Sequence, residues 1–143
     1  MKNLYLDIDG TLIHDSLKKY NQPANGVSEF LKYITDNYTV YWLTTHCRGG
    51  ENHAPDYLST KLPPEAIQYL KLIQPRFWEC DKTEAIEYTS DFLWIDDEAY
   101  EPELKALRDN NCLDKWIKVD LNKNPNQLLE ITKTLKDGSP PSN

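Results

Sequence analysis

Short apolar runs alternate along the chain with segments in which apolar residues recur every three or four positions. The apolar runs, dense in β-branched and aromatic side chains, predict strands at residues 4–8, 38–43, 76–80, 92–95 and 115–119. The helical spacing predicts helices at residues 26–37, 63–70, 83–89, 102–110 and 125–135. Between residues 44 and 61, Gly, Pro, Asn and His predict a loop.

This alternation predicts an α/β fold. We expect a three-layer, doubly wound and mostly parallel sheet, with right-handed crossovers and helices on both faces. A chain of 143 residues is near the usual size of one domain. We expect that domain to span residues 1–135 and a frayed tail to occupy residues 136–143.

Composition and charge narrow the class of protein. An apolar fraction of 39%, with no apolar run near the roughly 20 residues that span a bilayer, is typical of a water-soluble protein. The N-terminal residues are too acidic for the apolar core of a signal peptide, so the expected location is the cytoplasm. A formal net charge of −7 disfavours binding to anionic lipid or nucleic acid, although a localised basic patch would still permit the latter.

Polar side chains follow the predicted strands where each strand ends. In an open parallel sheet, ligands bind beyond the carboxyl ends of the strands. The residues found there are Asp7, Asp9, Gly10, Thr11, Thr44, Thr45, His46, Lys82, Asp96 and Asp97. The aspartates and threonines among them offer hard oxygen donors. Such donors favour Mg²⁺, which typically binds one or two carboxylates together with a substrate phosphate. The sequence therefore predicts a site for magnesium and phosphate.

The first of these segments has a spacing suited to two separate roles. Asp7 and Asp9 are one residue apart in an extended segment, so both side chains can point to the same side. Gly10 allows a sharp turn at the end of the strand, and the Thr11 hydroxyl can fix the loop that follows.

The run Asp7-Ile8-Asp9-Gly10-Thr11 resembles the D-x-D-G-T signature of the haloacid dehalogenase superfamily. The family's other motifs have counterparts in the same order. Leu43-Thr44 resembles the second motif, Lys82 before a helix resembles the third, and Trp94-Ile95-Asp96-Asp97 resembles the paired-acid form of the fourth. The resemblance covers about residues 4–120.

The resemblance implies a magnesium-dependent phosphatase that hydrolyses a phosphate monoester. By this resemblance Asp7 attacks phosphorus and forms an aspartyl-phosphate, and Asp9 protonates the leaving oxygen and then activates water. Asp96, supported by Asp97, would hold magnesium together with the Asp7 carboxylate and the main-chain oxygen of Asp9.

The resemblance also implies how phosphate is bound and what covers it. Thr44 would hydrogen-bond a phosphoryl oxygen, with Thr45 as the alternative because the sequence does not fix the register, and Lys82 would balance charge. Most members carry an inserted cap domain, for which residues 12–25 and 46–79 leave little room. A Rossmann-like core without a sizeable cap is therefore expected.

Other kinds of site stay open at this point. A signalling receiver domain gathers similar residues and accepts phosphate without hydrolysing esters, but its lysine comes last, whereas here an acidic pair follows Lys82. A phosphate-binding or nucleic-acid end-processing module would use the same site.

A cysteine-based phosphatase would need Arg six positions after Cys47, where the chain has His53. His46, Arg48 and His53, in the loop after the second strand, either recognise substrate or are solvated.

Overall fold

The computed structural model describes residues 1–138, and its centre is a five-stranded parallel sheet. The strands are β1 (Asn3–Leu6), β2 (Thr39–Trp42), β3 (Gln74–Pro75), β4 (Phe92–Asp96) and β5 (Trp116–Lys118). Their order is β3-β2-β1-β4-β5, and each neighbouring pair is parallel. The chain builds outward from β1 to β3 and then returns to β4 on the other side. The carboxyl end of β1 therefore lies at a topological switch point, where open sheets bind ligands.

Helices cover both faces of the sheet. They are α1 (Val27–Asn37), α2 (Ala54–Ser59), α3 (Pro64–Ile67), α4 (Glu101–Asp109) and α5 (Gln127–Lys136). Apolar side chains of α1 and α5 share one core cluster with Leu4 and Leu6 of β1. On the opposite face Leu107 of α4 packs in a second cluster with Tyr5. The predicted three-layer α/β fold is confirmed.

The central strand is buried on both faces. Leu4, Tyr5 and Leu6 are fully inaccessible to solvent, and successive side chains enter opposite clusters because they alternate along a strand. Burying each such apolar side chain contributes about 1.5–3 kcal/mol. Packing on both faces of the sheet thus fixes the end of β1 and the position of the residue that follows it.

The predicted loop at residues 44–61 was wrong in part. It contains a short 3-10 turn at Thr45–Cys47 and the helix α2. The Asn52 carboxamide oxygen accepts the Ala54 N–H at 3.2 Å, and Pro55 lies in the first turn of the helix, where proline is tolerated. These two local signals stabilise a helix that the composition of the segment does not indicate.

The predicted strand at residues 76–80 was misplaced, because pairing with β2 occurs at Gln74–Pro75. The predicted helix at residues 83–89 is a single 3-10 turn, Lys82–Ala85. Its continuation is prevented by tertiary structure, since the Glu87 N–H donates to the hydroxyl of Tyr5 at 3.0 Å instead of to a helical carbonyl.

Within residues 1–138 no separate cap domain lies over the carboxyl edge of the sheet. None of the helices in this range is long and apolar enough to cross a membrane. Helix α5 ends at Lys136, and residues 139–143 of the expected tail lie outside the described residues. The domain boundary at residue 135 stays a prediction.

Replacing Gly26 by Ala should lower the free energy of unfolding by about 1–3 kcal/mol. Gly26 begins α1 with φ of 73°, in the left-handed region, and a Cβ there would overlap the side chain of Leu129 in α5. Urea denaturation measures the loss. The control is Gly49→Ala, because Gly49 has φ of 81° but nothing within 4 Å of the added carbon. Equal losses in both variants would show that the contact between Gly26 and Leu129 is not tight.

Candidate active site

A cavity of about 350 Å³ opens at the carboxyl ends of β1 and β4. This volume is at the lower end of the range for small-molecule sites, roughly 300–1,000 Å³. Seven residues were expected to act in catalysis or to bind metal or phosphate, and six of them line the cavity: Asp7, Asp9, Thr45, Lys82, Asp96 and Asp97. Side chains separated by up to ninety positions in the sequence therefore meet in one cavity.

Three carboxylates form a compact acidic cluster. Asp7, Asp96 and Asp97 each offer an oxygen, and these oxygens lie within 4.8 Å of one another. Asp7 follows β1 and its N–H donates to Ile95 of β4 at 3.0 Å, which brings the ends of the two strands together. Asp7 is 5% exposed and Asp96 1%. The acidic cluster is therefore mostly withdrawn from water.

Lys82 bridges two members of the acidic cluster. Its Nζ lies 3.2 Å from Asp7 Oδ1 and 2.6 Å from Asp96 Oδ2. The main-chain N–H of Lys82 donates to the buried carboxylate of Glu103 in α4 at 2.8 Å, which fixes the position of the lysine. Burial opposes the charged form of Lys82, but the charges of Asp7 and Asp96 outweigh it and raise its pKa. Lys82 is thus a permanent cation in the site.

With all three carboxyl groups ionised, the acidic cluster would carry more negative charge than Lys82 neutralises. Burial raises the pKa of Asp96 well above its usual range, and the charge of Asp7 raises it further while Lys82 opposes the shift. Burial and the charge of Asp7 raise the pKa of Asp97 to about 7. Crowding and desolvation both disfavour the ionised carboxyl groups.

The acidic cluster has the chemistry of a site for a hard divalent cation. All its donors are carboxylate oxygens, the ligands that Mg²⁺ prefers. Gly10 supports this arrangement, because a Cβ at this position would overlap the carboxylate of Asp97. The backbone of the D-x-D-G-T segment therefore lies directly against Asp97, and its φ of 78° favours glycine at this point.

Asp9 has a different environment from the acidic cluster. Its Oδ2 lies 2.8 Å from Nε2 of His46, and its Oδ1 accepts a hydrogen bond of 2.8 Å from the hydroxyl of Tyr57. The rings of His46 and Tyr57 stack with centroids 3.8 Å apart. Burial would raise the pKa of Asp9, but the hydrogen bonds from His46 and Tyr57 outweigh it and lower the pKa. Both oxygens of Asp9 are thereby oriented.

Tyr57 was missed because it lies in the segment predicted to be a loop. Asn52 and Pro55 indicate that Tyr57 lies on a helix. The contact between the Tyr57 hydroxyl and Asp9 is tertiary, so it is seen only in the three-dimensional structure. Burial and the neighbouring Asp9 raise the pKa of Tyr57, so its hydroxyl keeps the proton that it donates. Asp15, a further carboxylate on the cavity wall, was missed as well.

The two threonines after β2 differ in position. Thr44 is fully buried, and its hydroxyl accepts the His46 N–H at 3.4 Å. Thr45 is exposed and lies on the cavity wall. Of the two threonines, Thr45 therefore lines the cavity and Thr44 does not.

Cys47 lies close to the site but is a weak nucleophile. It is buried, and burial raises the pKa of its thiol to about 11. Since the thiolate is the reactive form, this argues against a cysteine-based phosphatase.

Comparison of the chain with protein-family models, curated proteins and solved structures found no match. The resemblance to the haloacid dehalogenase superfamily therefore stays a prediction from the motifs.

Replacing Asp97 by Asn should raise the melting temperature of the metal-free protein at about pH 8. The pKa of Asp97 is raised from 3.8 to about 7 in the folded state. Between these values the folded protein binds more protons than the unfolded chain, so stability falls as the pH rises. The difference between variant and wild type should shrink at about pH 5, where the carboxyl is protonated in the folded protein. Added Mg²⁺ should raise the melting temperature of the wild type more than that of the variant.

Differential scanning calorimetry provides this measurement, with Asp91→Asn as the control. Asp91 is exposed, and hydrogen bonding to Lys115 lowers its pKa, the opposite of Asp97. The control should respond to Mg²⁺ like the wild type and should not be stabilised at about pH 8. A metal-free Asp97→Asn protein that melts below the wild type at this pH would contradict the proposed crowding.

Proposed function

We propose that this protein is a magnesium-dependent phosphatase of the haloacid dehalogenase type. It hydrolyses a phosphate monoester through an aspartyl-phosphate on Asp7. The observation that carries this proposal is the convergence of Asp7, Asp96, Asp97 and Lys82 at the carboxyl end of the central strands.

Asp7 is suited to act as the nucleophile. Lys82 lies 3.2 Å from its carboxylate and offsets the repulsion between that carboxylate and an approaching phosphate dianion. Charge neutralisation and in-line positioning supply most of the rate in phosphoryl transfer. An Asp7 oxygen forms the bond to phosphorus while the bond from phosphorus to the leaving oxygen breaks.

Magnesium would be held by the carboxylates of Asp7, Asp96 and Asp97 and by the main-chain oxygen of Asp9. When bound it neutralises charge on the phosphoryl group and orients that group for attack. The crowding of the acidic cluster supports this assignment, since three carboxyl groups face one lysine ammonium and a cation would favour their ionised forms.

Asp9 would transfer protons in both halves of the reaction. In the first half it donates a proton to the leaving oxygen. In the second half water attacks phosphorus, the bond from phosphorus to Asp7 breaks, and a proton of the water passes to Asp9. The phosphate dianion raises the pKa of a nearby carboxyl group, which favours protonated Asp9 when substrate is bound. His46 and Tyr57 hold the carboxyl in position for both transfers.

Thr45 and Lys82 would bind the phosphoryl oxygens. Thr45 lies on the cavity wall, so its hydroxyl can donate to a phosphoryl oxygen there. Thr44 would instead stabilise the turn that carries His46, because its hydroxyl accepts the main-chain N–H of His46. This favours Thr45, the alternative phosphate ligand, over Thr44, which the family resemblance names first.

Replacing Asp7 by Asn should lower magnesium-dependent release of phosphate from p-nitrophenyl phosphate by about 10³-fold or more, because an amide cannot form the acyl phosphate. Colorimetric assays with and without Mg²⁺ measure this rate. Asp91→Asn removes an equal charge from an exposed position outside the cavity and should keep the wild-type rate. Unchanged turnover in Asp7→Asn would refute the nucleophile, and a long-lived phosphoprotein without ester hydrolysis would favour a receiver-like acceptor.

Replacing Tyr57 by Phe should lower kcat about tenfold and change KM little. A positioned acid or base contributes typically 10²–10⁴-fold, and this change removes one of the two hydrogen bonds that orient Asp9. Steady-state kinetics with an aryl phosphate measures both constants. Tyr33→Phe is the control, because Tyr33 is half-buried on α1 and does not line the cavity, and it should match the wild type. A variant that raises KM at constant kcat would assign Tyr57 to substrate binding instead.

A further inference from the structure

Arg48 lies on the wall of the cavity that holds Asp7, and its backbone is fixed there. It follows the 3-10 turn Thr45–Cys47 and forms an isolated parallel β-bridge with Trp78. The N–H of Gly49 donates to the Trp78 carbonyl at 3.0 Å. This part of the long segment after β2 is therefore tied to the chain beyond β3.

The Arg48 side chain is also held in place. Its Nε donates to the main-chain oxygen of Glu79 at 2.7 Å, and its guanidinium carbon lies 5.2 Å from the centre of the Trp78 ring. Trp78 is itself fixed, because its indole N–H donates to the Thr44 carbonyl at 2.9 Å and the residue is 8% exposed. The guanidinium is thus positioned by a hydrogen bond and by an aromatic ring.

The fold uses only one nitrogen of this guanidinium. Within residues 1–138 no carboxylate forms an ion pair with Arg48, and neither terminal nitrogen donates a hydrogen bond. The nearby carboxylate of Glu84 accepts instead from the main-chain N–H groups of Cys80 and Asp81. The terminal nitrogens of Arg48 therefore remain as donors, in the fork geometry that binds oxyanions in a bidentate manner.

The charges around the rest of the cavity make Arg48 distinctive. The basic residues that line it are Lys82 and Arg48, and Lys82 is engaged by Asp7 and Asp96. Other parts of the wall carry acidic side chains, which are Asp15, Glu98 and Glu103. A second negative group on a substrate is repelled along most of the wall and attracted at Arg48, which selects one orientation.

We propose that Arg48 forms a subsite for a second oxyanion. The substrate is then a phosphate monoester whose leaving group carries a carboxylate or a further phosphate. This inference rests on the proposed function, because it places the leaving group of that reaction beside Trp78 and Arg48. It assigns substrate selection to the segment after β2 and leaves the transferred phosphoryl group to Lys82 and the acidic cluster.

Binding of phosphonates, which are not hydrolysed, tests the subsite without requiring turnover. Calorimetric titrations with Mg²⁺ present compare ω-phosphonocarboxylates and alkane bisphosphonates with alkylphosphonates of equal chain length. The wild type should bind the doubly anionic compounds about tenfold to a hundredfold more tightly at the chain length that spans both sites, the range of one charge-assisted hydrogen-bonded pair. The carboxylate and bisphosphonate series distinguish the two kinds of second anion.

Arg48→Met should reduce this preference to about one, and Arg48→Lys should restore part of it, because an ammonium keeps the charge without the fork. Arg108→Met is the matched control, since Arg108 pairs with Glu101 on α4 and does not line the cavity. It should keep the wild-type preference. Equal affinities for both series in the wild type, no binding of either, or an unchanged preference in Arg48→Met would overturn the subsite.

Aryl phosphate turnover, measured in parallel, separates the two proposals. Turnover without a preference for the doubly anionic phosphonates contradicts the Arg48 subsite alone. A preference that depends on Arg48, in a protein that releases no phosphate from any ester, supports the subsite and contradicts the phosphatase.

Discussion

The crowding of three carboxyl groups, those of Asp7, Asp96 and Asp97, is the constraint on which the rest of the site depends. Two strands that are adjacent in the sheet end together and bring these side chains within 4.8 Å of one another. Burial then removes the water that would screen them, and Lys82 offsets only part of their charge. In the proposed function, a bound cation would relieve that repulsion, and a phosphate that bound the same cation would lie beside the carboxylate of Asp7.

The two environments within the cavity give chemically similar groups different properties. The carboxyl groups of Asp96 and Asp97 have raised pKa values because they are buried beside Asp7. The pKa of Asp9 is lowered because His46 and Tyr57 donate to it. Divergent environments of this kind are how one site assigns different roles to several acidic groups. Different parts of the chain form the two environments. Lys82, which contacts the acidic cluster, precedes α4, whereas His46 and Tyr57, which contact Asp9, lie after β2.

Much of the site could be predicted from sequence because parallel strands end at a common edge. The apolar runs that precede Asp7, Asp96 and Asp97 are typical of buried strands. Once the sheet is taken to be parallel, the ends of those strands are expected to meet and to bring the three side chains together. Tyr57 could not be found in this way, since its helix forms in a segment whose composition indicates a loop and its contact with Asp9 is tertiary. The helix predicted at residues 83–89 was too long because the Tyr5 hydroxyl, far away in sequence, binds the Glu87 N–H. The choice between Thr44 and Thr45 depended on the turn after β2, which apolar periodicity does not describe.

Chemical trapping tests most directly whether Asp7 receives the phosphoryl group. The protein is mixed with Mg²⁺ and an aryl phosphate, treated with borohydride to reduce any acyl phosphate, and digested for peptide mass spectrometry. Our account predicts that Asp7 is converted to homoserine, and that this product is absent when Mg²⁺ or the phosphate ester is omitted. Release of phosphate with Asp7 unmodified, or conversion of a different aspartate, would contradict it.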